Sequence, residues 1–283
     1  MQLNNYHQLK NKTVRDLYWL LFSESPLSDN YDLSPYSLFP KEILNQWQLA
    51  SEEYFLALDK KHYEIENFVK RKKNKRLGFY AEALLSYFFQ TFKQVELLLQ
   101  NFQIIDQQKT IGEVDFIIRY NEKVIHLECA VKYYILKDLN KKNDPSQWVG
   151  PRLKDNLELK LNKIIQHQLP LGSRTEILNK INFPIDCSFL FLKGIFFAEE
   201  KTVKGEINRS EPNAFIRQNN LIKAKEKPIN ILTRPNWLSA TKPSELKKQN
   251  QFNEDYIAFR YPELVLFNDG HVRFIVPSNW GKN

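Results

Sequence analysis

The chain has 283 residues, enough for one large domain or two small ones, and 42% of them are hydrophobic, enough for a sizeable core. Lys plus Arg number 41 against 33 Asp plus Glu, and the resulting charge of +8 favours a polyanionic partner, nucleic acid ahead of an anionic membrane. Two cysteines in separate apolar runs and five scattered histidines exclude a disulfide framework and give no zinc spacing. No apolar run approaches a membrane span and the start is too polar for a signal peptide, so a cytoplasmic protein without membrane contact is expected, its thiols buried and reduced.

In chain order, Thr13 is read as the cap of a helix through VRDLYWLLF. Residues 26–40 are turn-rich, and Pro40 stands at the first position of a second helix, KEILNQWQLASEEYFLAL. The run KRKKNKR, Lys70 to Arg76, leads into the apolar helix LGFYAEALLSYFFQTF, with Leu77, Ala81, Leu84, Leu85 and Phe88 near helical spacing. Three strand-like runs follow: VELLLQNFQII, EVDFIIRY and VIHLECAVKYYI. Asn121, Glu122 and Lys123 join the last two as a hairpin. A second core helix is expected through LKDNLELKLNKIIQHQL, with Leu153, Leu157, Leu161, Ile164 and Gln168 on one stripe, and then a buried strand, CSFLFLKGIFFA. The polar stretch from Glu199 to about Asn230 reads as a long loop, and ELVLFNDGHVRFIVP as a hairpin around Asn268-Asp269-Gly270.

The fold expected is therefore α/β: helix, three-strand meander, helix, strand, a mixed sheet flanked by helices over 71–198. Residues 1–70 form an N-terminal helical extension on that core. Residues 199–283 supply the long loop and the C-terminal β-hairpin of the same domain.

Strand alternation singles out a set of polar residues. Ile125, Leu127, Cys129, Val131 and Tyr133 make one apolar face, and His126, Glu128, Ala130 and Lys132 make the other. In the neighbouring strand Asp115 lies opposite the apolar Val114, Phe116 and Ile118, so a short hairpin brings Asp115 beside Glu128 if the polar faces coincide. Adjacent carboxylates repel and invite a cation, and a hard divalent ion takes oxygen ligands. Glu82, inside the very apolar helix, adds a third acid that needs a partner. The plainer alternative is a surface ion pair of Glu128 with Lys132, worth little energetically.

Glu82, GEVDF with Asp115, and LECAVK with Glu128 and Lys132 resemble the PD-(D/E)XK nuclease superfamily, the restriction-endonuclease-like fold. The longer run, RLGFYAEALLSYFF through IGEVDFIIRYNEKVIHLECAVKYYI to WVGPRLKDNLELKLNKIIQHQLPL, together with TVRDLYWLL, is similar to a bacterial family of unknown function, DUF1853, placed in that superfamily. The resemblance implies a restriction-endonuclease-like core and Mg²⁺- or Mn²⁺-dependent hydrolysis of phosphodiester bonds in DNA, or in RNA. It implies that Asp115, Glu128 and Glu82 serve the metal, that Lys132 is the catalytic lysine, and that Gln168 lies near the site. The chain departs from the superfamily pattern in two places. Ala130 stands where the lysine is usual, with Lys132 two residues later, and Val114 precedes Asp115 in place of proline. A catalytically inactive protein on the same fold, binding nucleic acid or a protein partner, is the alternative.

Lys70, Arg71, Lys72, Lys73, Lys75 and Arg76 form either a clamp on the phosphate backbone or a solvated charge run. Trp148 is read as packing under its loop rather than stacking on a base, and His126 as a hydrogen-bonded structural residue.

Overall fold

The computed structural model describes residues 8–71, 76–199, 205–207, 213–246, 251–252 and 259–282. The chain divides into two units, one of residues 1–23, 32–131 and 161–193, the other of residues 24–31, 132–160 and 194–283.

The first unit opens with α1 (Lys12–Phe22), a two-residue strand β1 (Ser37–Leu38), α2 (Lys41–Ala50), α3 (Glu52–Lys60) and α4 (Tyr63–Arg71). Asn11 caps α1 in place of the expected Thr13. Its side-chain oxygen accepts the Thr13 and Val14 N–H groups at 2.9 and 3.3 Å, and Thr13 is already helical. Pro40 is the extended residue before α2 rather than its first turn. The single helix expected after it breaks at Ser51, whose N–H turns back to the Gln48 carbonyl at 3.4 Å. The kink lets Trp47 of α2 enter the core.

Next comes α5 (Leu77–Thr91), which buries most of its length. Trp47 lies fully buried between Phe39, Phe88, Phe89 and Tyr120, with ring centroids 5.2 to 6.0 Å away. Trp47→Ala is expected to cost about 3–5 kcal/mol in urea denaturation. Trp47→Phe should cost clearly less, because the indole N–H has no hydrogen-bond partner among the described residues and its loss removes no bond. Equal destabilisation by both changes would refute this packing.

The meander follows as β2 (Glu96–Asp106), β3 (Lys109–Tyr120) and β4 (Lys123–Leu136). Asn121 and Glu122 have φ of 46° and 64°, so the β3–β4 turn is a two-residue one with both central positions left-handed, and Lys123 belongs to the strand. After β5 (Trp148–Val149), the next helix is much shorter than its apolar stripe suggests: α6 is Leu157–Lys163. Residues 150–155 instead form a turn in which the Gly150 N–H reaches the Asp155 carbonyl at 2.9 Å, and Leu153 is exposed with φ 57°. Asn156 then caps α6 by accepting the Leu159 N–H at 2.8 Å. A π turn at Ile164–Gln168 and a 3-10 turn at Leu169–Ser173, where Pro170 cannot continue the helix, lead to α7 (Thr175–Ile181) and β6 (Cys187–Ala198).

In the first unit the strand order is β2-β3-β4-β6, with β1 parallel to the start of β6 through Ser37↔Phe189 and Leu38↔Leu190. A core cluster of Ile104, Val114, Ile117, Val124, Leu171 and Ile177 fills the face covered by the 3-10 turn and α7. Strands β4 and β6 start in this unit, and their last residues belong to the other.

In the second unit β5 is antiparallel to the end of β4, and the end of β6 carries β7 (Asn213–Arg217) in parallel. Beyond β7 the order continues with β10 (Val272–Val276), β9 (Glu263–Phe267) and β8 (Pro228–Ile231). The β9–β10 hairpin is the expected one. Of the loop expected from 199 to 230, residues 200–204 and 208–212 lie outside the described residues, and the described part contains β7, most of β8 and a 3-10 turn at Gln218–Lys223. NAFIR and PINI are too short to show a period, and pairing with β10 and β9 holds them extended. The class is mixed α/β, as expected. Among the described residues no helix is long and apolar enough to cross a membrane. Cys129 and Cys187 are both half-buried, less enclosed than expected.

Candidate active site

The β3–β4 ladder runs from Tyr120↔Lys123 to Phe116↔Leu127. The paired register ends there, and Asp115 and Glu128 are the next residues of the two strands. There the Asp115 carboxylate takes over from the backbone, Oδ2 accepting the Cys129 N–H at 2.8 Å. Asp115 is thus held against β4 at the residue after Glu128.

Glu128 is 1% exposed. A carboxylate taken out of water needs a donor, and Gln168 supplies one, its Nε2 donating to Glu128 Oε1. Gln168 ends the π turn after α6, and the extra residue in that turn changes which side chains face the sheet. His126 shares this face and is fully buried, with Nδ1 and Ser188 Oγ sharing a 3.2 Å hydrogen bond. The turn lies directly on its ring: a Cβ on Gly172 would stand 2.7 Å from His126 Nδ1.

Burial drives the His126 imidazole from its ordinary 6.5 down to about 4, a Leu169 backbone group offsetting part of the shift. The folded protein therefore keeps His126 neutral where the unfolded chain binds a proton. Stability from this group is complete above pH 6.5 and is lost as pH falls toward 4, by about 3 kcal/mol in total. The urea midpoint is expected to fall between pH 7 and 4.5, and His126→Gln should flatten that slope. An unchanged slope in the variant would place the sensitivity elsewhere.

The other sequence candidates stand on further elements. Glu82 is half-buried on α5, the helix whose Phe89 packs edge-on against Phe116 at 5.2 Å. Among the described residues no three His, Cys, Asp or Glu side chains gather into a group able to hold a metal ion. Lys132 belongs to the second unit, where its Nζ pairs with Asp155 Oδ2 at 2.6 Å. The Tyr134 hydroxyl donates to the same oxygen at 3.2 Å, and burial with the nearby Asp155 charge pushes the Tyr134 pKa up. The basic run is only partly described: Lys70 and Arg71 end α4, with Lys70 exposed and 3.6 Å from Glu66, and Arg76 precedes α5. Lys72, Lys73 and Lys75 lie outside the described residues. Trp148 is fully buried, its indole N–H donating to the Lys142 carbonyl at 2.8 Å.

Two partners escaped the sequence. Asp155 was hidden inside the over-long helix. Lys193, 2% exposed, donates from Nζ to the Leu21 carbonyl at 3.0 Å and to that of Ser23, satisfying the end of α1. A lysine inside CSFLFLKGIFFA was its visible signal.

A family model described as a domain of unknown function, DUF1853, matches residues 15–261. No curated protein and no solved structure matches the chain.

Proposed function

Because the chain belongs to the DUF1853 family and carries Asp115 and Glu128 on the adjacent strands β3 and β4, we propose that it is a cytoplasmic, metal-dependent nuclease with a restriction-endonuclease-like core, hydrolysing phosphodiester bonds of DNA or RNA. The carrying observation is the Asp115 carboxylate held on the Cys129 N–H, next to Glu128 on β4, just beyond the β3–β4 ladder. The chain order of α5, β2, β3, β4, α6 and β6 supports the core assignment.

Two carboxylates suit Mg²⁺ or Mn²⁺, which take hard oxygen donors. Mg²⁺ commonly uses only one or two protein carboxylates and fills the remaining positions with water and substrate phosphate. A third protein ligand is therefore not required. Asp115 and Glu128 would hold the ion, which when bound neutralises phosphate charge and supplies an activated water. The protein's own work is positional: Cys129 N–H fixes Asp115, and Gln168 fixes the buried Glu128.

The test is cleavage of single- and double-stranded DNA and RNA by the full chain with Mg²⁺ or Mn²⁺, abolished by EDTA. No cleavage of any of these under either metal sinks the proposal. One observation favours a second reading, a nucleic-acid-binding protein without catalysis: the candidate lysine, Lys132, is paired with Asp155. Under that reading binding persists while Mg²⁺ changes nothing.

A further inference from the structure

The second unit carries a different chemical grouping, built on arginine and aromatic rings. Arg152 and Arg260 come from separate segments and both sit over Tyr261, with guanidinium carbons 5.1 and 5.4 Å from the ring centroid. Arg234 lies 6.0 Å from the Trp237 centroid, and that indole is fixed by its N–H donating to the Leu232 carbonyl at 2.9 Å. Glu263, half-buried on β9, feels the charges of both Arg152 and Arg234, which ties the three arginines into one neighbourhood.

These arginines differ from others in the chain. Arg119, Arg217 and Arg273 are each paired with a carboxylate, at 2.6, 3.3 and 2.5 Å. Arg152, Arg234 and Arg260 are all exposed, and among the described residues their guanidinium groups make no hydrogen bond and no ion pair. Tyr261 is itself 40% exposed. A ring beneath a guanidinium holds its plane while leaving the N–H edges outward, so the ordering cost of a bidentate anion contact is reduced in advance. Three such forks match the spaced, singly charged phosphates of a polynucleotide better than a compact anion, which one fork satisfies.

We propose that Arg152, Arg234 and Arg260, held on Tyr261 and Trp237, form a nucleic-acid backbone site in the second unit, separate from the carboxylate pair. The site extends the nucleic-acid side of the nuclease reading and stands whether or not the chain hydrolyses what it binds.

The experiment is fluorescence anisotropy of the full chain with a labelled DNA duplex and a labelled single strand, in EDTA so that cleavage plays no part. The variant Arg152→Gln/Arg234→Gln/Arg260→Gln should bind duplex at least about tenfold more weakly near ~0.1 M salt, with a log–log salt slope shallower by about 2 to 3. Arg174→Gln removes an arginine that is already paired with Glu176, and should leave the slope unchanged. Wild-type protein that binds neither nucleic acid, or a triple variant with the wild-type slope, overturns the proposal. Polyglutamate or anionic vesicles bound as tightly as DNA, and released by the same triple change, overturn it in favour of an acidic protein or a lipid surface. Cleavage loss with intact binding would instead count only against the hydrolysis reading.

Discussion

Glu128→Gln and Asp115→Asn are each expected to lower Mg²⁺-dependent cleavage by about 10³-fold or more, equivalent to roughly 4 kcal/mol of transition-state stabilisation. Each change keeps the side-chain shape and removes only the negative charge. Asp115→Asn can still present an oxygen to the Cys129 N–H, and Glu128→Gln one to Gln168, so the fold has no reason to fail. Melting without metal should therefore match wild type within a few degrees. A second readout is independent of turnover. Mg²⁺ binding the folded chain raises its melting temperature by mass action, and both variants should lose that rise. Unchanged cleavage in either variant removes that residue from the site. A Mg²⁺ effect that survives both changes places the ion elsewhere.

Gly194→Ala is expected to destabilise the chain by at least about 3 kcal/mol, or to prevent recovery of soluble protein. Gly194 has φ 140°, and a Cβ there would overlap the Lys132 carbonyl oxygen and stand 2.7 Å from its carbon. The obstacle is strand backbone, which cannot rotate away as a side-chain tip can. Relief requires β4 and β6 to separate at the position that carries Lys132. Gly78 gives the contrast, lying exposed on α5 with nothing within 4 Å of the place a Cβ would take. Gly78→Ala should be neutral or stabilising by up to about 1 kcal/mol. Chemical denaturation of the two variants decides the matter, and a tolerated Gly194→Ala would mean that the strands do not approach this closely.

Long, strongly patterned segments were legible in the sequence. The three meander strands carry enough alternating residues to declare themselves, and the Asn121-Glu122 turn fixes a register that runs to Phe116↔Leu127, next to Asp115 and Glu128. What failed was local. The stripe Leu153, Leu157, Leu161, Ile164 has helical spacing, but Gly150 and Asp155 close a turn that spends Leu153 on solvent. Gln168 was expected on a regular helix and instead reaches Glu128 from a π turn, whose extra residue no periodicity reveals. The strands β7 and β8 owe their form to partners far along the chain, so five and four residues of local sequence could not announce them. Lys132 shows the limit of face assignment by alternation: the face was predicted, while its ion partner depended on a loop 23 residues away.

Each unit is assembled from three separated stretches of chain, and this has a consequence for biogenesis. A ribosome delivers residues in order, at a pace slower than local collapse. The first unit needs residues up to 193, so its meander and helices must wait, with β4 made but β6 still missing. By then only residues 24–31 and 132–160 of the second unit are outside the exit tunnel, and they wait for the rest. Neither unit can be completed before the other has begun, and no single cut in the gene yields both units intact. Nascent chains stalled before residue 193 should therefore remain open to protease, and protection should arise late.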